Sequence, residues 1–187
     1  MARVLILYGT SEGQTARIAG AIARRLDANA IDSDVVQAGT LDPRPCDYAG
    51  VIVAGSLHAG GYQKPVARWV RAHLAELGNR PTAFVSVCLA VVSKQEKARD
   101  EARAIPRRFV DGLGWNPTVI KVVAGALPYT KYNIFIRWIM KRIASGAGGD
   151  TDTSRDYEYT DWKDLNDFVD RFAALVSPAR VVSAVAS

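Results

Sequence analysis

Cysteine and histidine are nearly absent: the chain of 187 residues holds two of each, Cys46 and Cys88, His58 and His73. No pair has the spacing of a CxxC redox motif or of a zinc ligand set, so zinc sites and a disulfide framework are excluded. No run of about 18 or more apolar residues is present, and no segment reads as a membrane span. The N-terminus passes from Met1-Ala-Arg3 directly into a strand-like run, without the charged and apolar regions of a signal peptide. The expectation is a cytoplasmic protein. There is also no long basic run and no known nucleic-acid module, so no nucleic-acid partner is expected. A net charge of +5 and a pI near 9.4 by themselves favour anionic partners such as nucleic acid, acidic lipid or a carboxylate-bearing substrate. A merely solvated basic surface fits the same numbers.

The residues that are present are 49% hydrophobic, enough for a core, and the length suits a single domain over 1–176 followed by a small, mildly apolar tail at 177–187. Short apolar, β-branched runs at 4–8, 34–37, 50–54, 83–89 and 119–124 alternate with segments of helical period, the pattern of a parallel sheet wrapped by helices. Ile18, Ala19, Ile22, Ala23 and Leu26 line one face of a helix over 16–26. Further helices are expected over 65–77 and within 94–113, where Pro106 is expected to break or start the helix. The first strands are apolar throughout, as strands covered on both faces are. The expected fold class is α/β and doubly wound. A strand resumes at 157–159, and Thr160 or Asp161 caps a helix ending near Val176.

The run "GTSEGQT" at 9–15 lies between the first strand and the first helix. A helix N-terminus offers amides without intrahelical acceptors, and Thr10, Ser11 and Thr15 add hydroxyl donors, while Gly9 and Gly13 allow close backbone approach. No Lys follows the second glycine and the spacing is not GxGxxG, which removes the triphosphatase and dinucleotide loops. From the residues alone, a phosphate cradle and an ordinary strand-to-helix turn both stay open.

This hydroxyl-rich loop resembles the phosphate loop of flavodoxins, whose sheet order is 2-1-3-4-5 with FMN at the switch between strands 1 and 3. The resemblance implies a flavodoxin-like five-stranded parallel sheet and FMN held by Thr10, Ser11, Glu12, Gly13, Gln14 and Thr15, with flanking loops at Ser56, Leu57, His58 and at Val87, Cys88, Leu89. Glu12 stands where that family usually has a third hydroxyl, so its carboxylate is expected to point away from the phosphate. A narrower resemblance covers residues 3 to about 176. "GQT" at 13–15, "SVCLAVVSKQEK" at 86–97, "AGAL" at 124–127, "IMK" at 139–141, "GGDTDT" at 148–153 and "YTDW" at 159–162 resemble the flavodoxin-type protoporphyrinogen oxidases, or quinone-dependent protoporphyrinogen dehydrogenases. It implies FMN-dependent oxidation of protoporphyrinogen IX to protoporphyrin IX in heme biosynthesis, a membrane quinone as acceptor, and peripheral contact with the inner face of the cytoplasmic membrane. Where that family often has Asn, this chain has Cys88. Flavin carries the hydride chemistry, so no catalytic acid or base is assigned. An electron carrier for a protein partner and an FMN-free interaction domain are the alternatives.

The insertion at 127–156 carries Lys131, Arg137, Lys141 and Arg142 with no Asp or Glu between 127 and 149. On a helix over 132–144, Tyr132, Ile134, Phe135, Ile136, Trp138, Ile139, Met140 and Ile143 form an apolar arc wider than docking on a sheet requires. A membrane surface, a hydrophobic substrate or a second subunit would cover it, and a fold-back onto the domain or a homo-oligomer contact is the plainer use. Tyr129, Arg137, Trp138, Lys141 and Arg142 are the candidate substrate or membrane residues, the cations suiting propionates. His58 is the one side chain near the expected flavin edge that titrates near neutrality, although an exposed or stacked loop histidine is the plainer reading. Arg103, Arg107 and Arg108 read as a solvated or lipid-facing surface.

Overall fold

The computed structural model describes residues 2–57, 60–127 and 157–177. His58 and the expectations for 128–156, including Tyr129, Arg137, Trp138, Lys141 and Arg142, lie outside these residues, as does the tail beyond 177. Five parallel strands form one sheet: β1 (Arg3–Gly9), β2 (Asp32–Gln37), β3 (Gly50–Ser56), β4 (Thr82–Val87) and β5 (Val119–Val123), in the expected order β2-β1-β3-β4-β5. The register places Ile6 beside Val35 on one side and Ile52 on the other, Val53 beside Phe84, and Val85 beside Lys121. The central strands are buried on both faces. Val4, Ile6, Ile52, Ala54, Ala83 and Val85 enter the layer under helices α1 (Gln14–Ala28) and α5 (Trp162–Val176). Leu5, Leu7, Val51, Val53 and Phe84 enter the opposite layer, under α2 (Lys64–Ala72) and α4 (Glu96–Leu113). With both faces dry, the central strands are largely apolar on both faces rather than alternately, the exceptions in β4 being buried Thr82 and Ser86.

Two helix expectations need correcting. Residues 65–77 form two helices, α2 and a single turn α3 (Leu74–Leu77), parted at His73, whose Nε2 lies 3.0 Å from Asp42 Oδ1. Pro106 neither breaks nor starts a helix: α4 runs through it, with Ala102, Pro106, Val110 and Leu113 all buried on one face. Burial of the ring beside Val110 offsets the missing donor of an interior proline. Three arginines of α4 are exposed but paired, Arg103 with Asp100, Arg107 with Asp111 and Arg108 with Glu101, while half-buried Arg99 donates to the carbonyls of Ser93 and Lys94.

After β5 the chain forms β6 (Ala126–Leu127), which pairs antiparallel with β7 (Tyr157–Glu158) outside the main sheet. Asp161 caps α5, accepting from the Asp164 amide at 2.9 Å. The far end of α1 is fastened to α5, with Arg25 Nε donating to Asp170 Oδ1 at 2.7 Å and Asn29 Nδ2 to the same oxygen at 2.9 Å. The bonds from Arg25 and then Asn29 hold the Asp170 carboxyl down at about 2, from an ordinary 3.8. A folded-state pKa below the unfolded one means that the unfolded chain takes up the proton first, so this stabilisation is present above the unfolded value and fades as pH falls through the folded one. The Tm gap between the parent and Asp170→Asn is therefore expected to close as pH falls from 3.8 to about 2. A gap of constant width would show that Asp170 contributes nothing through ionisation.

Candidate functional site

Strand order reverses between β1 and β3, since β2 lies to one side of β1 while β3, β4 and β5 follow on the other. In open α/β sheets the crevice outside the carboxyl ends of the strands at such a point is where ligands bind. Here the loop 10–13 after β1, Leu57 and residues 60–63 after β3, and the residues after β4 surround it. A shallow depression lined by Arg3, Arg24, Asp27, Asp32 and Asp34 lies at the opposite end of the sheet, where β1 and β2 begin, and its mixed charges single out no ligand.

The loop after β1 is built to donate hydrogen bonds. Gly13, at φ 88°, adopts the left-handed conformation that glycine takes without strain and turns the chain into α1, and no side chain caps the helix. Its amide donates to Thr10 Oγ1 at 2.9 Å. Ser11 Oγ accepts from Gln63 Nε2 at 3.1 Å. A hydroxyl that has accepted a bond still has its own hydrogen to give, so Thr10 and Ser11 each keep a donor. Thr15 goes further: it is 0% exposed and its Oγ1 has no hydrogen-bond partner among the described residues. A buried hydroxyl left unmatched costs about 1–3 kcal/mol, so such groups are rare unless something else completes them. Three hydroxyl donors and the first-turn amides of α1 suit a group rich in acceptor oxygens and negative charge, and no cation is needed. A phosphate monoester fits this donor set. Ser11 and Glu12 are exposed, as an outward carboxylate at Glu12 requires.

Gly9 fixes how closely the second loop comes. A Cβ there would lie 2.6 Å from Val66 Cγ2 and 2.9 Å from Gln63 Oε1, so α2 meets the end of β1 only because no side chain intervenes. Gln63, at the N-terminus of α2, then bridges both strands of the switch point. Its Oε1 accepts from the Ser56 amide at 3.2 Å, and its Nε2 reaches Ser56 O at 3.2 Å as well as Ser11. Tyr62 pins the same loop to β4: its hydroxyl lies 2.7 Å from Ser86 Oγ and its ring packs on Phe84 and Phe109. Burial, the dominant influence, pushes the Tyr62 phenol well up, so it stays neutral.

The expected residues after β4 divide. Val87 is packed in the core, and Cys88 is buried with its thiol pushed up by burial, so it is no ready nucleophile. Leu89 opens the short turn Leu89–Val92, none of whose four aliphatic residues is buried. Leu57 continues the ladder through its amide to Val87 O at 2.9 Å. Gln14 lies in the first loop by its backbone, but its side chain donates to Glu158 and Thr160. Gln63 and Tyr62 join the site without a motif in the sequence to mark them, and Ser86, the first residue of the 86–97 motif, joins it as the partner of Tyr62. The one available signal was a glutamine two residues before Pro65 at a helix start, where short capping side chains are usual.

The flavodoxin domain family model matches residues 5–154. Protoporphyrinogen IX dehydrogenase (quinone) of Escherichia coli strain K12 is 34% identical over 174 residues, covering 92% of this chain and 96% of that protein. The protein of the same name from Leishmania major is 34% identical over 175 residues, covering 92% and 75%. Among solved structures, oxidised flavodoxin 1 from Bacillus cereus superposes with a TM-score of 0.57 at 12% identity, covering 94% of this chain and 100% of that one. Oxidised flavodoxin 2 from the same species gives 0.55 at 16% identity, covering 92% and 98%. At those identities the structural likeness speaks for the fold.

Proposed function

The chain belongs to the flavodoxin domain family and, within it, to the quinone-using protoporphyrinogen IX dehydrogenases, and from that premise we propose that it binds FMN and oxidises protoporphyrinogen IX to protoporphyrin IX with a quinone as acceptor. The observation that carries the cofactor assignment is the buried Thr15 hydroxyl, without a partner among the described residues, at the lysine-free start of α1. The names of the relatives supply the substrate and the acceptor.

Bound FMN supplies the hydride-accepting ring and passes electrons onward; the protein's residues hold and orient it. Thr10, Ser11, Thr15 and the amides of 11, 12, 14 and 15 would hold its phosphate, with Glu12 outward and the Gly13 amide kept on Thr10 Oγ1. Gln63 keeps the loops after β1 and β3 at a fixed spacing, and Tyr62 with Ser86 keeps the second loop on the sheet. Ser56, Leu57 and His58 on one side and Leu89 on the other, with the backbone of Val87 and Cys88, flank the ring. Among titratable groups near it, the raised thiol of Cys88 and the raised phenol of Tyr62 both stay protonated at neutral pH. No helix among the described residues is long and apolar enough to cross a membrane. Peripheral contact with the inner face of the cytoplasmic membrane is supported by a lipid-soluble acceptor, a net charge of +5 and the composition of the insertion, with Tyr129 and Trp138 beside its cations.

The test is anaerobic mixing of the FMN-loaded protein with protoporphyrinogen IX and a soluble quinone, followed by porphyrin fluorescence. Acceleration over a quinone-only control is expected, and a rate equal to that control removes the proposal. In the same assay, replacing Arg137, Lys141 and Arg142 together by Gln is expected to raise the KM for the porphyrinogen, because they are assigned to its propionates. An unchanged KM removes them from the site.

A further inference from the structure

Gln14 belongs to two parts of the molecule at once. Its backbone opens α1 directly after Gly13, inside the 10–15 loop. Its side chain reaches residues 144 and 146 positions later: Nε2 donates to Glu158 Oε1 at 2.8 Å and to Thr160 Oγ1 at 3.1 Å. Its Oε1 accepts from Arg17 Nη1 at 3.2 Å, and Arg17 closes the ring by pairing with Glu158 Oε2 at 3.1 Å. Thr160, only 8% exposed, carries the link onward by donating to Ala124 O at 2.9 Å. Beside it the Tyr159 amide donates to Gly125 O at 3.2 Å, and Ala126 pairs with Glu158 across β6 and β7. Both flanks of the 128–156 stretch are thereby tied to the first turn of α1.

We propose that Gln14 is a positioning residue that couples occupancy of the 10–15 loop to the seating of the β6–β7 pair, so that the cofactor and the base of the insertion are set in place together. The proposal rests on the FMN reading given above. Both amide donors and the carbonyl of Gln14 are used, so a single placement of the side chain satisfies the whole ring. Moving the first turn of α1 by about an ångström would stretch these bonds beyond useful length. Each link is partly exposed and weak alone, but they share members, and removing one loosens the others. Coupling of this kind is reciprocal: what steadies the loop steadies β7, and cutting the ring at β7 weakens the ligand.

The experiment titrates apoprotein with FMN by flavin fluorescence and follows amide hydrogen exchange over 157–161 with and without FMN. Neither Glu158 nor Thr160 lies in the loop, yet Glu158→Ala and Thr160→Val are expected to weaken FMN roughly 5-fold. FMN should slow exchange at Tyr159 in the parent and do so much less in these variants. Glu158→Gln keeps an acceptor for Gln14 and should retain most of the affinity. Asp170→Asn, which cuts the contact at the far end of α1, is the control: it lowers Tm with no change in the FMN Kd. A Glu158→Ala Kd within about twofold of the parent, or an equal loss in Asp170→Asn, overturns the coupling while leaving the FMN reading intact. A parent protein that binds no FMN overturns both.

Discussion

Thr15→Val is expected to lower FMN affinity about 10- to 100-fold while leaving the apoprotein at least as stable as the parent. The two effects have one cause. In the apoprotein the Thr15 hydroxyl is buried without a partner among the described residues, which costs about 1–3 kcal/mol, and a methyl of similar shape removes that cost. Valine also keeps the β-branched form, so packing beside Ile18 and Ala19 changes little. On the proposed assignment the same hydroxyl would bond to the charged phosphate, a contact worth about 1.5–3 kcal/mol, and each 1.4 kcal/mol is roughly tenfold in affinity. Thermal melts of the two apoproteins and FMN titrations of both decide it. An unchanged Kd, or a variant apoprotein melting well below the parent, would show that Thr15 is satisfied from within the chain.

Gly9→Ala carries the second large effect, and it acts on fold and site together. The added Cβ meets Val66 Cγ2 at 2.6 Å and Gln63 Oε1 at 2.9 Å, so α2 must move off the end of β1. Overpacking of this sort costs about 2 kcal/mol, or roughly 4–8 °C in Tm for a chain of this length. Moving Gln63 also breaks its bonds to Ser11 and Ser56, so FMN affinity should fall well beyond what the stability loss explains. Val66→Ala in the same chain makes room for the methyl; it should restore part of the Tm but leave FMN weak, because Gln63 still meets the new Cβ. If Gly9→Ala melted with the parent and bound FMN equally well, the close approach would have no functional content.

Much of the framework was legible because it follows from burial alone. β1, β3 and β4 are buried on both faces, so their apolar runs could belong to little else, whereas β2 at the edge keeps Asp32, Ser33 and Asp34 and was legible only from residue 34. Thr10, Ser11 and Thr15 were legible as donors from a local pattern between a strand and a helix. Gln63 was not, since its meaning depends on Ser11, 52 residues earlier in the chain and adjacent only after folding. Sequence proximity groups Gln14 with the loop and hides a side chain that bonds to Glu158. Pro106 lies inside a helix against the sequence expectation because the rule against interior prolines weighs the lost hydrogen bond and not the apolar face on which the ring lies.

The β6–β7 pair has a further consequence for how this fold tolerates change. Ala126 and Glu158 are cross-strand neighbours, so the two ends of everything between them already stand side by side, outside the main sheet. Closing a loop on fixed, adjacent ends costs only about 0.6 kcal/mol more for each doubling of its length. The pair is thus placed as a graft point: a segment of different length between 127 and 157 is expected to leave the register of the five strands unchanged.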